Sequence, residues 1–427
     1  MFAAAGALLL GLAGCGNEST PAPKAPAGST PAPAAKTATP SATPADPNPA
    51  DHPAPAQPKA SDAPAASTPA TGEPILVGHY ASMTGKEATF GQSTDNGIKL
   101  AIKEINAAGG LNGRPLKLIT YDTKGESKEA GNAVTRLITN DKVAAVLGEV
   151  ASGLSLAGGA VCQQYGVPMI SPSSTNLRVT QGRDMVFRVC FTDDQQSYAQ
   201  VKFIRDNLKL AKSGILYDQA QAYSKGLRDD FATLFTKMGG TIVADQAFTG
   251  GDTDFSAQLT SIKAAGAEII YVPAYYTEGG NIALQARKLG ITAPLMGGDG
   301  WDSEQLAKIG GQAIEGSYYS NHSAPDQPNS DIGSFIAKYK AEYQGQMPDA
   351  LGGLGYDSAM VLFDAMKRGK SLAGKDLRDA IATTKDFKGV SGVITIDKNR
   401  NAFKPIVIVQ MKKGQPSWVA NIDPVKP

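Results

Sequence analysis

From Ile75 onward the chain alternates short apolar runs with amphipathic stretches, and it does so in two successive blocks. This alternation constrains the fold more than any other feature. Ile75 to Tyr80 is a strand-like run, and Ile98, Ala101, Ile102 and Ile105 then recur at helical spacing up to the C-cap signal Gly109-Gly110. Leu116 to Tyr121 reads as the next strand, Ala130 to Ile138 as a helix, Val143 to Leu147 as a buried strand, Ser152 to Tyr165 as a third helix, and Val167 to Ile170 as a strand. After Val186 to Val189 the pattern restarts. Strands are expected at Ile215 to Tyr217, Thr241 to Val243, Ile269 to Val272 and Pro294 to Met296. Helices are expected near Ala199 to Leu208, Leu227 to Met238, Phe255 to Ala265 and Ile282 to Leu289. Such repetition implies parallel sheets covered by helices on both faces, hence two doubly wound α/β domains. Three further helices, around Ile332 to Tyr343, Asp357 to Met366 and Leu377 to Thr383, have no place if each domain is contiguous.

The first part of the chain is different in kind. Leu12-Ala13-Gly14-Cys15 closes a short apolar segment and reads as a lipoprotein cleavage site, with Cys15 as the lipidated residue. Met1 to Ala13 is shorter than the roughly 20 residues a membrane-spanning helix needs. No Lys or Arg precedes Cys15, although a signal segment normally starts with positive charge, so the start of translation is expected upstream of Met1. Residues 16–72 are dominated by Pro, Ala, Thr and Ser. That composition does not bury enough surface to offset its ordering entropy and predicts a disordered tether. The expected location is extracytoplasmic: the periplasm or the outer face of the cell membrane, held by lipid alone.

Charge narrows the partner. Lys plus Arg number 41 against 40 Asp plus Glu, which leaves no electrostatic footprint for nucleic acid or an anionic membrane surface. A small molecule is the expected partner. Beyond Cys15, only Cys162 and Cys190 remain, and export permits either a disulfide between them or two buried thiols. No His-Glu-x-x-His run and no Cys/His cluster has metal-binding spacing, so neither metal nor cofactor is expected.

In open parallel sheets, ligands bind beyond the carboxyl ends of the strands. Two such loops fall side by side in the first block. Gly148 to Gly153 places Ser152 where a helix begins, either as a simple N-cap or as part of an anion site made by helix-terminal N–H groups. Ser171 to Asn176 adds further hydroxyls. In the second block, Ala274-Tyr275-Tyr276-Thr277-Glu278 and Gly297-Gly298-Asp299-Gly300-Trp301 end two strands. A carboxylate among glycines beside an aromatic suits an ammonium group, although such a run is also an ordinary turn. Trp301 either shields a ligand or caps the second domain, and Asp357 reads as the cap of its helix.

Four segments together resemble the leucine/isoleucine/valine-binding family of ABC-transporter substrate-binding proteins. They are Ile105 to Leu116, Val167 to Asn176, Phe187-Arg188-Val189 and Gly297 to Asp302. The resemblance implies the type I periplasmic-binding-protein fold, two doubly wound parallel-sheet lobes joined by a three-segment hinge. It divides the chain into residues 1–15 and 16–72 as above, a first lobe of 73–192 plus 323–403, and a second lobe of 193–322 plus 404–427, and so returns the late helices to the first lobe. It further implies capture of a small amino acid, of the branched-chain class, by a monomer that delivers it to a separate ABC permease. By position, Ser152 and Thr175 fall on hydroxyls that meet the amino acid's carboxylate and polar head, Ser173 on a position acting through its backbone, and Asp299 on the acidic partner of the ammonium. Phe90, Tyr223 and Tyr275 fall on cleft aromatics.

Two other classes compete. Gly153-Leu154-Ser155-Leu156-Ala157 approaches the nucleophile elbow of a serine hydrolase, with His79 and His322 as candidate bases, but lacks the last glycine. A tethered sensor of the same fold, for an amide, urea-like or aromatic acid ligand, is the other alternative.

Overall fold

The computed structural model describes residues 70–328 and 331–425. The lipidation motif at Cys15, the signal segment 1–15 and the tether up to residue 69 lie outside the described residues.

The first sheet is built from β1 (Ile75–Ala81), β2 (Leu116–Asp122), β3 (Ala145–Leu147), β4 (Met169–Ser171) and β5 (Val186–Arg188), all parallel in the order β2-β1-β3-β4-β5. Between them run α1 (Ala88–Ala107), α2 (Ser127–Thr139) and α3 (Ser152–Tyr165). The buried faces of these helices are the apolar positions seen in the sequence, such as Ile98, Ala101, Ile102 and Ile105 on α1. Gly109 and Gly110 have φ of 99° and 62°, left-handed angles that glycine adopts at low cost and that stop α1.

The chain then enters the second sheet through α4 (Asp193–Lys202), which continues as a π-helical turn over Phe203–Asn207. β6 (Lys212–Asp218), α5 (Ala222–Lys237), β7 (Thr241–Phe248), α6 (Ser256–Ala264), β8 (Ile269–Val272), α7 (Tyr276–Lys288), β9 (Leu295–Gly297), α8 (Glu304–Gly310) and β10 (Tyr318–Asn321) follow. After β10 the chain returns to the first sheet's helices with α9 (Ile332–Glu342), α10 (Ala350–Arg368) and α11 (Gly374–Ala382). A small antiparallel sheet of β11 (Phe387–Gly389), β12 (Gly392–Ile396) and β13 (Ala402–Phe403) precedes the last crossing. β14 (Ile406–Lys412) and β15 (Gln415–Ile422) end the fold.

The second sheet, in the order β15-β14-β10-β9-β8-β6-β7, is mixed rather than wholly parallel. β14 pairs antiparallel with both β10 and β15. The expected parallel sheet is present in β10, β9, β8, β6 and β7, and β14 and β15 extend its edge antiparallel, because a hairpin such as β14–β15 joins only antiparallel strands. Asp357 is also corrected. The residue that caps α10 is Asp349, whose side chain accepts from the Gly352 N–H. Asp357 lies two turns further in, fully buried, and accepts the N–H groups of Val390 and Ser391 at 2.8 and 2.9 Å.

α10 packs along α1 through glycines on both helices, and this contact ties the late helices to the first sheet. A Cβ on Gly97 would stand 1.9 Å from the Gly352 carbonyl oxygen, so the helices approach closer than any larger residue permits.

Candidate functional site

The site begins where β3 ends. Glu149 is buried, and its carboxylate accepts the Ser82 N–H and hydroxyl at 2.7 Å each and the Ala151 N–H at 2.6 Å. Burial pushes its carboxyl up to about 7, against the pull of those donors. The Glu149 carbonyl oxygen in turn receives the hydroxyls of Ser155, Ser171 and Ser174 at 3.0, 2.7 and 2.9 Å. This convergence fixes the loop that leads into α3. Ser152 is the first helical residue and not the N-cap, a place taken by Ala151 without any side-chain cap. Its Oγ accepts the Asn176 N–H at 3.3 Å. As first-turn residues, Ser152 and Gly153 have N–H groups without acceptors in their own helix.

The neighbouring loop is held from beneath by Arg188 of β5. This guanidinium is fully buried and donates to the carbonyls of Ser174 and Asn176 at 2.6 and 2.8 Å and to the Thr180 hydroxyl at 3.2 Å. Above it, the hydroxyls of Ser173 and Thr175 are buried, that of Ser173 without a hydrogen-bond partner among the described residues. The Thr175 hydroxyl faces the Asp193 carboxylate, whose pKa burial raises well above the ordinary range.

The second lobe presents Asp299, 4% exposed, in a 3₁₀ turn after β9. Three donors surround its carboxylate: Tyr223 Oη at 2.9 Å and Gln196 Nε2 at 3.1 Å on Oδ1, and His322 Nε2 at 3.2 Å on Oδ2. Tyr223 Oη also accepts the Gly300 N–H at 2.9 Å. The tyrosine ring stacks on Tyr275 at 5.0 Å, and Tyr275 meets the Phe90 edge at 5.4 Å. The glycines around Asp299 are required by this packing. A Cβ on Gly298 would lie 2.4 Å from Tyr223 Oη, and one on Gly300 would lie 2.7 Å from the Tyr275 ring. Trp301 is fully buried inside the second lobe, where a Cβ on Gly297 would lie 2.2 Å from its ring, so it packs that lobe and does not shield the cleft.

Phe90, Ser173, Tyr223, Tyr275 and Asp299 therefore line one small cavity between the lobes, together with Val150, Gly300 and Leu351. Ser152 and Thr175 are buried beside it but do not line it. The cavity is closed down to about 10 Å³, about the space of one water. Contacts across the cleft account for this: Tyr276 Oη donates to the Lys86 carbonyl at 2.5 Å, Thr89 and Ser303 hydroxyls meet at 2.9 Å, and Asn176 Nδ2 donates to the Ala222 carbonyl at 2.9 Å.

Sequence reasoning missed Gln196, Arg188 and the contact of His322 with Asp299. Only the Phe187-Arg188-Val189 run carried a signal. Cys162 and Cys190 are buried free thiols, which corrects the disulfide alternative. Burial pushes the Cys190 thiol up to about 12. The hydrolase reading also fails. Ser155 Oγ is held by Glu149 and Ser174, His79 Nδ1 lies 3.1 Å from the Leu147 carbonyl, and His322 is engaged with Asp299. Among the described residues no group of three or more His, Cys, Asp or Glu side chains is arranged to hold a metal ion.

Two α/β lobes, three chain crossings between them and a cleft at the strand carboxyl ends define a bilobal receptor of the type I periplasmic-binding-protein class. The chain belongs to the periplasmic binding protein family, whose model matches residues 74–416. It is 32% identical over 344 residues to Leu/Ile/Val-binding protein homolog 2 of Brucella abortus, covering 80% of this chain and 91% of that one. Among solved structures, it resembles a leucine-binding protein of Thermotoga maritima with TM-score 0.78 and 38% identity, over 82% of this chain and 99% of the other. A branched-chain amino acid transporter substrate-binding protein of Streptococcus pneumoniae, in complex with isoleucine, matches with TM-score 0.76 and 34% identity, over 83% of this chain and all (100%) of that one. The family binds solutes and is not a family of enzymes.

Proposed function

We propose that this protein captures a small α-amino acid of the branched-chain class between its lobes and delivers it to an ABC permease. One observation carries the reading: two half-sites of opposite polarity face each other across the cleft. On one side stand the α3 N-terminus, the buried, unpartnered hydroxyl of Ser173 and the Thr175 hydroxyl beside Asp193, suited to a carboxylate. On the other stands the buried carboxylate of Asp299, suited to an ammonium. Phe90, Tyr223 and Tyr275 form the apolar wall. Relatives named for leucine, isoleucine and valine, and the isoleucine complex among the similar structures, support the same ligand class.

Residues 73–192 with 323–403 act as one lobe and 193–322 with 404–427 as the other, moving about the three crossings. A zwitterion touches both half-sites only when the cleft closes, so it prefers the closed state. Turning a population from 1:99 to 99:1 takes about 5.5 kcal/mol of such preference. Two charge-assisted clusters out of water are of that order. Lipidation at Cys15 and the tether of residues 16–72 would hold a monomeric receptor near the permease on the extracytoplasmic side.

The test is calorimetry with leucine, isoleucine and valine on protein freed of carried-over solute by passage through denaturant, beside Asp299→Ala. Binding that disappears in the variant supports the reading. Binding only of amides, urea or aromatic acids, indifferent to Asp299, would replace the ligand class and favour a sensor of the same fold.

A further inference from the structure

A larger cavity, of about 450 Å³, opens between the lobes apart from the cleft just described. Ser93 of α1 and Asp349 at the start of α10 bound it on the first-lobe side, Asp302 and Ser303 on the second-lobe side. Here a carboxylate of one lobe sits on a helix terminus of the other. Asp302 Oδ2 accepts the Ala350 N–H at 2.7 Å, and Tyr319 Oη donates to its Oδ1 at 3.0 Å. Asp349, one residue before Ala350, caps the same helix through the Gly352 N–H at 2.9 Å and accepts the Ser93 hydroxyl. Thr89 and Ser303 join the lobes beside this contact.

Charge around the pair is one-sided. Among the described residues no Lys, Arg or His lines the cavity. The titratable groups facing the pair are Asp299 beside Asp302, Tyr319 of β10, Tyr339 of α9, and Glu304 of α8, which Lys308 neutralises from outside at 2.5 Å. α1 and the β14–β15 turn contribute only uncharged residues to the lining. A buried carboxylate, Asp302, beside a half-buried one, Asp349, is costly to ionise together with it when no cation stands near.

We propose that Asp302 and Asp349 form a proton-linked latch, in which closing the lobes brings the two carboxylates together around one proton and parting them releases it. The proposal rests on the capture reading for its purpose, because closure is what retains the solute, but its test does not need the solute. Burial and the neighbouring Asp302 push Asp349 up to about 7, and burial and the neighbouring Asp299 push Asp302 up to about 6. With the lobes apart, each carboxyl returns toward the ordinary range near 4. The closed state then binds the proton more tightly, so closure is favoured by acid and weakens as pH rises through about 7. Between pH 6 and pH 8 the closed-to-open ratio falls about tenfold for one such proton.

The experiment measures lobe separation by pulsed electron resonance between spin labels at Lys128→Cys and Lys237→Cys, both exposed and on different lobes, in the solute-free chain carrying Cys15→Ser. Acidification from pH 8 to 6 is expected to enrich the short distance about tenfold relative to the long one. Asp302→Asn with Asp349→Asn, which keeps a competent helix cap, should abolish that shift. A distribution that does not move with pH, or moves equally in the double variant, overturns the latch. Failure of every amino acid to bind would overturn the capture reading instead, while the solute-free distances still decide the latch. A folding defect in the variant is recognised by circular dichroism. The carboxyl-carbon resonances of Asp302 and Asp349 in the wild type then decide, since titration of both near pH 4 in the closed form overturns the proposal.

Discussion

His322 Nε2 lies 3.2 Å from Asp299 Oδ2, and the Phe191 ring stacks on the same imidazole at 3.9 Å between centroids. A residue at the end of β10, where the chain leaves the second lobe, therefore steadies the carboxylate that faces the cleft. The contact is not an ion pair at neutral pH. Burial pulls the imidazole pKa down to about 4, outweighing the attraction of Asp299, so the ring donates as a neutral group.

That lowered pKa predicts an acid-sensitive fold. The histidine's contribution is fully present above its ordinary value near 6.5 and is lost as pH falls through about 4. His322→Phe keeps an aromatic ring for the Phe191 stack and removes the titrating group. Between pH 6.5 and 4 the wild type should lose up to about 3 kcal/mol more stability than the variant, by thermal unfolding at matched ionic strength. Parallel pH profiles would show that the buried imidazole does not titrate as argued.

Glycines divide sharply into those the packing needs and those it does not. Gly97→Ala places a Cβ 1.9 Å from the Gly352 carbonyl oxygen and forces α1 and α10 apart, at an expected cost of about 3 kcal/mol. Gly131→Ala on α2 meets nothing within 4 Å, and replacing a mid-helix glycine there should stabilise by about 0.5–1 kcal/mol. Denaturant midpoints of the two variants should move in opposite directions.

Strands β1 to β9 were legible from short apolar runs, and the helix Ser152 to Tyr165 was legible to the residue, whereas β10, the small antiparallel sheet and the closing β14–β15 hairpin were not expected. α4, α7 and α10 each begin about two turns before the sequence pattern shows them. Their first turns hold Asp193-Asp194-Gln195-Gln196, Tyr276-Thr277-Glu278-Gly279-Gly280 and Ala350-Leu351-Gly352-Gly353, which are too polar or too rich in glycine to display a helical apolar stripe. These turns face the cleft or its flank, so the missing periodicity marks the places where helix ends serve contacts other than the core. At the site, strand-end reasoning alone located the loops holding Ser152, Ser173 and Asp299. Gln196, 103 residues from Asp299 in the chain, carried no local sign, because only the second sheet's folding brings them together.

Near the third crossing, Lys404 is buried, and its Nζ donates to Ser391 Oγ at 2.7 Å, while that hydroxyl donates to Asp357 Oδ2 at 2.5 Å. Burial pulls the lysine down to about 8. Lys404→Met removes the cation and leaves the Asp357 carboxylate buried without one, for an expected loss of about 3 kcal/mol. Adding Asp357→Asn should recover part of that loss, because the remaining group is then neutral. A single variant as stable as the wild type in chemical denaturation would show that the lysine compensates nothing.

Closure itself is accessible through Tyr276. Its hydroxyl crosses from the second lobe to the Lys86 carbonyl of the first at 2.5 Å, while its ring meets Phe90 edge-on at 5.0 Å. Tyr276→Phe keeps the ring contact and removes one hydrogen bond that exists only when the lobes meet, about 1 kcal/mol. The closed population of the bound protein should fall about fivefold relative to the open one, and solute should leave about fivefold faster in stopped-flow displacement. Lys86→Ala tests a weaker tie of the same kind, since Lys86 Nζ stands 3.9 Å from Glu278 and its side chain is 53% exposed. A pair whose lysine is half in solvent and stands beyond hydrogen-bond distance is worth about 0–1 kcal/mol, so its effect on release should be smaller than that of Tyr276→Phe. Each lobe retains its own core in both variants, and the unfolding midpoint of solute-free protein should stay within about 2 °C of the wild type. A slower release in Tyr276→Phe, or a lysine effect exceeding the tyrosine effect, would place the closing force elsewhere on the cleft rim.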